Sequence, residues 1–451
     1  MSMDIGCSKT ELDLFTVPPV QRAILEDYVI ESRHTSGSAD DTSLEFNFAA
    51  CTDDYTDLSQ CSLTVRLKVV KLDTDVAPVH YDAPDDDGAE ADGPDIDAVP
   101  VNLIFHSIWK QMDLFLNDEL VESSLDYPFK SYLSTLFSYS SDSKNTWLPA
   151  LEGWREDEPG KFDVLKQNGA IDSAKHLVKN GRVFELRGKP NFELFHQSRL
   201  IPNNVKIRVV LSKQRPAFYM MGNMGVGAQR LVNTKYKIIT EKAVLSLRRC
   251  KLNPEEQLKI EKQIAHNGAT FPTQAVIIKT VAVPQGLMET SVDSLFSNNE
   301  IPPRILIAQV DNDAYVGSYA KSPFNFKHNN LVQASVTYSG QTYSHSTDFV
   351  NKNKMGPYLE LYKMMSHYPC DHSNGITKEQ WEGGTTLIPF DLCPDQSYSG
   401  NFISRRKVGN ISLSLRWSVP LPTNINLLII ALYDNSYYMG VNRDFQKALV
   451  Y

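Results

Sequence analysis

Hydrophobic and polar residues alternate with a period of two along much of the chain. Such alternation is typical of strands in antiparallel sheets, which have one face on a core and the other in solvent. Shorter runs are apolar at every position and predict strands that are covered on both faces. The alternating runs span 63–69, 205–211 and 411–417, and the apolar runs span 276–278, 305–307 and 427–432. The pattern predicts a chain that is mostly β.

Helical spacing is confined to a few short segments. Apolar residues recur at i, i+3, i+4 and i+7 over 129–137 and again over 358–365, each time just after a proline. A third helix is predicted from its ends: Asn253 is a good N-cap, Pro254 suits the first helical position, and Gly268 suits the C-terminus. We therefore expect helices at these three places.

The two halves of the sequence carry the same landmarks in the same order. A histidine precedes a two-residue turn, a helix follows, and later a Pro-X-Asn triplet precedes a strand. The matching pairs, at offsets of 222, 226 and 220 residues, are His106 with His328, Asn117-Asp118 with Ser339-Gly340, Tyr132-Leu133 with Tyr358-Leu359, and Pro202-Asn203-Asn204 with Pro422-Thr423-Asn424. Chance similarity between β-rich sequences is the competing explanation, but the agreement in order favours a duplicated domain.

A duplicated β domain of this size predicts an all-β fold of two tandem antiparallel jelly-roll β-sandwiches, a double jelly roll. The 451 residues exceed the roughly 250–300 at which single cores stop growing. Each half is longer than an immunoglobulin-like domain of about 100 residues, and the repeat is too long for a propeller blade. We expect an N-terminal jelly roll at 1–252, a linker helix at 253–268 and a C-terminal jelly roll at 269–451.

Composition and charge exclude several other classes of protein. The formal net charge is −9 and the basic residues are scattered, so direct specific binding of nucleic acid is not expected. The longest strongly apolar run, 425–432, is far shorter than the roughly 20 residues of a transmembrane segment, and residues 1–10 lack the apolar core of a signal peptide. The six cysteines form no CxxC motif, which indicates a reducing compartment. The acidic stretch at 82–100 is predicted to be a disordered loop.

Two segments could be mistaken for catalytic or metal-binding sites. The sequence Asp311-Asn312-Asp313 follows an apolar strand and suits a turn, with Phe324 and Phe326 then entering the core. The segment 367–372 contains two histidines and a cysteine, but zinc sites usually draw their ligands from two separated clusters. A turn and a surface loop are the simpler interpretations.

The remaining candidates are weaker. The glycine-containing segment 222–227 has no phosphate-binding Lys-Ser/Thr. His106 and His328 occupy matching repeat positions at the start of predicted strands, and no catalytic partner is evident for either. We therefore predict no catalytic residue, no cofactor site, no metal site and no enzymatic activity.

Several motifs resemble those of the major capsid proteins of Polinton/Maverick elements and their adintovirus relatives. They extend over nearly the whole chain in the expected order, and the acidic stretch at 82–98 departs from the family pattern. The matching residues are Glu11-Leu12-Asp13-Leu14-Phe15, Val17-Pro18-Pro19, Val101-Asn102-Leu103, His106-Ser107, Gln111, Leu116-Asn117, Val310-Asp311-Asn312-Asp313-Ala314, Gly317-Ser318-Tyr319, Pro323-Phe324-Asn325-Phe326-Lys327-His328, Phe390-Asp391-Leu392 and Pro394-Asp395.

The resemblance implies a double jelly-roll fold and a homotrimeric capsomer. Six similar sandwiches per trimer would form a pseudo-hexamer that tiles an icosahedral shell. The implied partners are other copies of the chain and penton or minor capsid proteins. The implied location is the virion capsid, after synthesis in the host cytoplasm.

The leading hypothesis is therefore a structural major capsid protein. One alternative is a carbohydrate-binding double jelly-roll protein, for which exposed aromatic platforms would be expected; the chain has only five Trp, and none cluster. The other alternative is a jelly-roll glycoside hydrolase, which needs two carboxylates across one cleft.

Overall fold

Two β-sandwiches follow one another along the chain. The structure is a computed structural model that describes residues 20–34, 42–72, 98–164, 168–178, 182–222, 235–296, 300–347, 349, 354–365, 373–393 and 407–448. Most of the acidic stretch predicted at 82–100 lies outside these residues.

The first sandwich is built from residues before 253. Its strands are β1 (Ile24–Arg33), β2 (Ser43–Phe48), β3 (Asp54–Leu72), β4 (Ala98–Pro100), β5 (Trp109–Leu116), β6 (Glu119–Ser124), β7 (Val183–Gly188), β8 (Ile207–Lys213), β9 (Met220–Gly222) and β10 (Lys235–Leu252). Its helices are α1 (Ile104–Ser107), α2 (Tyr127–Ser138), α3 (Ser141–Asn145), α4 (Trp147–Glu152), α5 (Gly169–Val178) and α6 (Pro216–Tyr219), and a 3-10 helix spans Glu193–His196.

Helix α7 (Pro254–Asn267) connects the first sandwich to the second. The strands that follow are β11 (Ala269–Val283), β12 (Glu289–Val292), β13 (Glu300–Ile301), β14 (Arg304–Asp311), β15 (Leu331–Tyr338), β16 (Gln341–Ser346), β17 (Leu387–Asp391), β18 (Lys407–Val408), β19 (Ile411–Trp417), β20 (Ile425–Met439) and β21 (Phe445–Ala448). The helices are α8 (Asn312–Val316), α9 (Met355–Met364) and α10 (Lys378–Glu382).

Each sandwich consists of two antiparallel four-stranded sheets with the same strand order. In the first, the sheets are β1-β10-β3-β7 and β2-β8-β5-β6; in the second, they are β11-β20-β14-β17 and β12-β19-β15-β16. Short additions are the ribbons β4-β9 and β13-β18 and strand β21 on β20. Two four-stranded sheets connected in this order form a jelly roll, and the chain contains two of them.

One hairpin recurs in both sandwiches with no change in length. Adding 222 to the bounds of β5 and β6 gives the bounds of β15 and β16. Both turns have two residues with positive φ, 50° and 66° at Asn117 and Asp118, and 48° and 78° at Ser339 and Gly340. Two-residue turns of this kind match the right-handed twist of the paired strands, which explains why the turn was recognisable from its residues.

The predicted match between the triplets at 202–204 and 422–424 is wrong. The triplet at 202–204 precedes β8, whose counterpart in the sheet order is β19, whereas the triplet at 422–424 precedes β20, the counterpart of β10. The connections between strands differ in length in the two halves, so no single offset holds over a whole domain.

The predicted burial holds for two of the three apolar runs. Residues 305–307 of β14 are buried, and so are residues 427–431 of β20. The run at 276–278 was wrongly predicted to be covered on both faces: Ile277 is 42% exposed. Strand β11 is at the edge of its sheet and has a neighbouring strand on one side only.

All three predicted helices are present as α2, α7 and α9. Apart from α5, the other helices have six residues or fewer, less than two turns, and are too short for a helical period to stand out in the sequence. Among the described residues, no helix is long and apolar enough to cross a membrane.

Helix α7 begins as its cap predicts, because the Asn253 side chain accepts a hydrogen bond from the backbone N–H of Glu255 at 3.1 Å. We expect Asn253→Ala to lower the free energy of unfolding by about 1 kcal/mol and Asn253→Gly to lower it by only a few tenths. Denaturant unfolding of both variants tests this. Equal losses would show that the side-chain cap contributes nothing.

Candidate functional site: the interface between the two β-sandwiches

Helix α2 lies between the two sandwiches and is the centre of their interface. Pro128 occupies its first turn, and even Lys130 and Ser131 are buried. On one side the helix packs on α1 and β5 of its own sandwich. At its N-terminus, Asp126 accepts a hydrogen bond from the hydroxyl of Tyr315, in the second sandwich, at 3.1 Å. The helix is therefore covered by protein on both sides.

An aromatic cluster joins α2 to the second sandwich. The rings of Tyr132 and Phe324 stack with centroids 4.2 Å apart and planes 5° from parallel. Phe129 stacks on Tyr315 at 5.6 Å and meets Phe324 edge-on at 5.9 Å. Phe326 meets Tyr132 edge-on at 6.0 Å. Buried aromatic contacts of this kind contribute about 0.5–1.5 kcal/mol per pair beyond the area they bury.

The segment from Asp311 to His328 supplies the second sandwich's part of this cluster. As predicted, Phe324 and Phe326 are buried, and Asp311 begins a turn, here the short helix α8. Burial opposes ionisation of Asp311, but Lys327 at 2.9 Å and Lys321 at 3.0 Å hold the pKa of its carboxyl below its ordinary value. The carboxylate is therefore paired within a structural network.

The same segment is tied to the first sandwich by Asp163. Its carboxylate accepts hydrogen bonds from the backbone N–H of Ser322 and the side chain of Asn325, both at 2.8 Å. Nearby, the backbones of the two sandwiches come close together at Gly317 and Phe218. A Cβ on Gly317 would lie 3.0 Å from the backbone nitrogen of Phe218. The motif at 310–328, which resembles the major capsid proteins, thus lies at the interface between the two sandwiches.

A buried polar cluster forms a second joint. The Glu122 carboxylate accepts hydrogen bonds from Lys130 Nζ at 3.0 Å and from the backbone N–H of Glu193 at 2.8 Å. Glu193 in turn accepts hydrogen bonds from Asn435 at 3.1 Å and from Tyr437 at 3.0 Å, both in β20 of the second sandwich. Glu193 therefore links the 3-10 helix of one sandwich to a strand of the other.

The charges of this cluster perturb one another. Burial raises the pKa of the Glu122 carboxyl to about 7, and the neighbouring Glu193 adds to the shift while Lys130 opposes it. Burial alone would lower the pKa of Lys130, but the two carboxylates outweigh it and raise that pKa. The cluster is close to taking up one proton at neutral pH.

A cavity of about 960 Å³ remains between α2 and the second sandwich. Leu133 and Ile430 contribute to its apolar walls, and Glu152 and Glu193 are two of its carboxylates. Glu193 is engaged by the second sandwich, and a Glu152 oxygen lies 3.4 Å from Nε2 of His106. Both carboxylates are therefore engaged by neighbouring side chains of the interface.

The other sequence candidates are dispersed. His106 lies in helix α1, not at a strand start, and its Nδ1 is 2.7 Å from the hydroxyl of Tyr127. His328 stacks on Phe349 at 4.3 Å, so the two matching histidines have different surroundings. The segment 367–372 and residues 223–227 lie outside the described residues. Within the described part of the chain, no group of three or more His, Cys, Asp or Glu could hold a metal ion.

No protein-family model matches the chain. An uncharacterized protein of Caenorhabditis elegans is 23% identical over 356 residues, which are 76% of this chain and 80% of that protein. A chain of the Sputnik virophage structure superposes with a TM-score of 0.66 at 10% identity, covering 99% of this chain and 93% of the other.

Two further solved structures are similar over almost the whole chain. The mavirus major capsid protein has a TM-score of 0.57 at 11% identity, covering 99% of this chain and 95% of the other. The Faustovirus major capsid protein has a TM-score of 0.56 at 10% identity, covering 95% and 92%. The chain has the double jelly-roll fold. The fold class predicted from the sequence is confirmed.

The aromatic cluster predicts that replacing Phe324 lowers the stability of the fold by a large amount. We expect Phe324→Ala to lower the free energy of unfolding by about 3–5 kcal/mol, because the ring is fully buried among α2 side chains. Phe324→Leu, which keeps most of the volume, should cost clearly less. Denaturant unfolding measures both. Equal losses would contradict a packing role for the ring.

The Glu122 cluster predicts a pH dependence of stability. The folded-state pKa of Glu122 is raised to about 7, above the unfolded value of about 4.3, so its contribution to stability is complete below about pH 4 and is lost as pH rises through 7. We expect Glu122→Gln to remove this loss between pH 5.5 and 8.5, measured by denaturant unfolding. The control is Glu185→Gln, at an exposed residue, which should retain the wild-type slope. An unchanged slope in Glu122→Gln would contradict the role of this carboxyl.

Proposed function

We propose that this chain is a structural major capsid protein that assembles into an icosahedral virus-like shell. The observation that carries the proposal is the double jelly roll itself: two sandwiches of identical strand order, joined by a buried interface into one block. The mavirus and Faustovirus proteins to which this chain is structurally similar are both major capsid proteins, which supports the same role. Its function would lie in surfaces between copies, not in a catalytic site.

The geometry explains why such a chain suits a shell. Three copies of a chain with two similar sandwiches place six similar blocks around one axis, so a homotrimer is a pseudo-hexamer that can tile a hexagonal lattice. We infer a division into an N-terminal jelly roll at 1–252, a linker helix at 253–268 and a C-terminal jelly roll at 269–451. Many modest contacts between such blocks add up to a stable shell through multivalency.

The narrower assignments rest on the sequence motifs. We propose that the protein belongs with the Polinton/Maverick and adintovirus capsid proteins, and that it resides in the virion capsid after synthesis in the host cytoplasm. Penton or minor capsid proteins would close the shell where trimers cannot. With a formal net charge of −9, packaging of nucleic acid would depend on other components.

Assembly provides the direct test of this function. The purified protein should have a mass of three copies of the 50.8-kDa chain, about 152 kDa, by light scattering, and the same fraction should show hexagonal particles by electron microscopy. Closed shells at higher concentration would be the strongest result. A chain that stays monomeric over a wide range of concentration and salt would contradict the proposal, and glycan binding would then be the next property to measure.

A further inference from the structure

The interface inside the chain places a helix opposite the outer face of a sheet. Helix α2 and the side of β11-β20-β14-β17 that points away from the core of the second sandwich line the same cavity. On that side, Ile278, Ile430 and Leu306 form one row across three strands. Strand β14 is buried at all eight positions, on both of its faces. This sheet face is apolar and needs a cover.

The repeat provides a second helix and a second sheet of the same kind. Helix α9 follows the β15-β16 hairpin as α2 follows β5-β6, and an offset of 226 matches Phe129 and Leu133 of α2 with Met355 and Leu359 of α9. The α2 residues are buried, whereas Met355 is 51% exposed and Leu359 is 38% exposed. The side of α2 that is buried between the two sandwiches is therefore left open on α9.

The matching sheet face is partly open. In β1-β10-β3-β7, the residues Arg33, Val244, Thr64 and Arg187 form a row across the four strands on the side away from the core. Val244 is buried, but Val29, on the same side of β1 and four residues before Arg33, is 63% exposed. The chain thus contains one helix that faces a sheet inside the molecule, and a second helix and a second sheet that each carry exposed apolar residues.

We infer that α9 of one copy packs on the outer face of the β1-β10-β3-β7 sheet of the next copy, at the place where α2 faces the corresponding sheet within the chain. This inference rests on the proposed pseudo-hexameric trimer, in which the contact between sandwiches of neighbouring chains repeats the contact within one chain. The contact between two copies joins two different surfaces and is therefore heterologous. Heterologous contacts form a closed ring when the rotation from one copy to the next divides evenly into a full turn. In the proposed trimer, three copies complete the ring.

The contact within the chain and the inferred contact between copies differ in their chemistry. The sheet face inside the chain is apolar at its centre, where Leu306 and Ile430 are buried. The face that receives a second copy is mixed: Val29 and Val183 lie among charged residues such as Arg66 and Glu185, which form an exposed ion pair at 3.9 Å. A free chain with this face remains soluble before assembly, because its exposed apolar area is divided by charges.

Single charges placed on either surface test the inference in the full-length chain. Met355→Glu alters α9 and Val29→Glu alters the sheet, and each should raise the concentration at which the trimer dissociates at least tenfold, measured by analytical ultracentrifugation. The matched control is Leu258→Glu on α7, at a residue 57% exposed and outside both surfaces, which should leave the trimer unchanged. Unaltered thermal unfolding of each variant would show that its fold is intact.

Mixing the two variants sharpens the test. The Met355→Glu chain keeps an unaltered sheet surface, and the Val29→Glu chain keeps an unaltered α9 surface. An equal mixture should therefore form dimers of one chain of each kind but no closed ring. Trimers of both variants as stable as wild type would overturn the inference and leave the capsid function standing. A wild-type chain that never leaves the monomeric state would instead contradict the proposed function, and this inference with it.

Discussion

Strand β14 of the β11-β20-β14-β17 sheet is buried on both of its faces, and the joint between the two sandwiches depends on this constraint. A sheet that is apolar on both sides cannot leave either side in water, so a second layer must lie against it. Helix α2 contributes to that layer from across the cavity, and its own residues are buried on two sides because it also packs on the first sandwich. The aromatic stack of Tyr132 on Phe324 and the polar bridge through Glu193 fix where the two layers meet.

Much of the fold could be predicted from the sequence because its signals are local. Period-two alternation marks β3, β8 and β19, and the turn residues mark both hairpins. The interface between the sandwiches could be predicted only in part. The burial of Phe324 and Phe326 follows from their apolar character, but nothing in the sequence indicates which helix they meet.

The polar part of the interface was missed altogether. Glu122, Lys130 and Glu193 are separated by up to 71 residues and have no local pattern, since each is an ordinary charged residue in a strand, an α-helix or a 3-10 helix. Only the tertiary structure brings them together. The exposure of Ile277 was missed for a related reason: periodicity reports the two faces of a strand but not its place at the edge of a sheet.

Helix α7 joins the two sandwiches covalently, and this has a thermodynamic consequence for any assembly of six blocks. Bringing separate bodies together costs each of them translational and rotational freedom, about 4–15 kcal/mol per association. Six independent sandwiches would undergo five such associations to form a ring, whereas three tethered pairs undergo two. The tether also ensures that the two kinds of sandwich are made in equal numbers, so a single kind of head-to-tail contact between chains is enough to make them alternate around the ring.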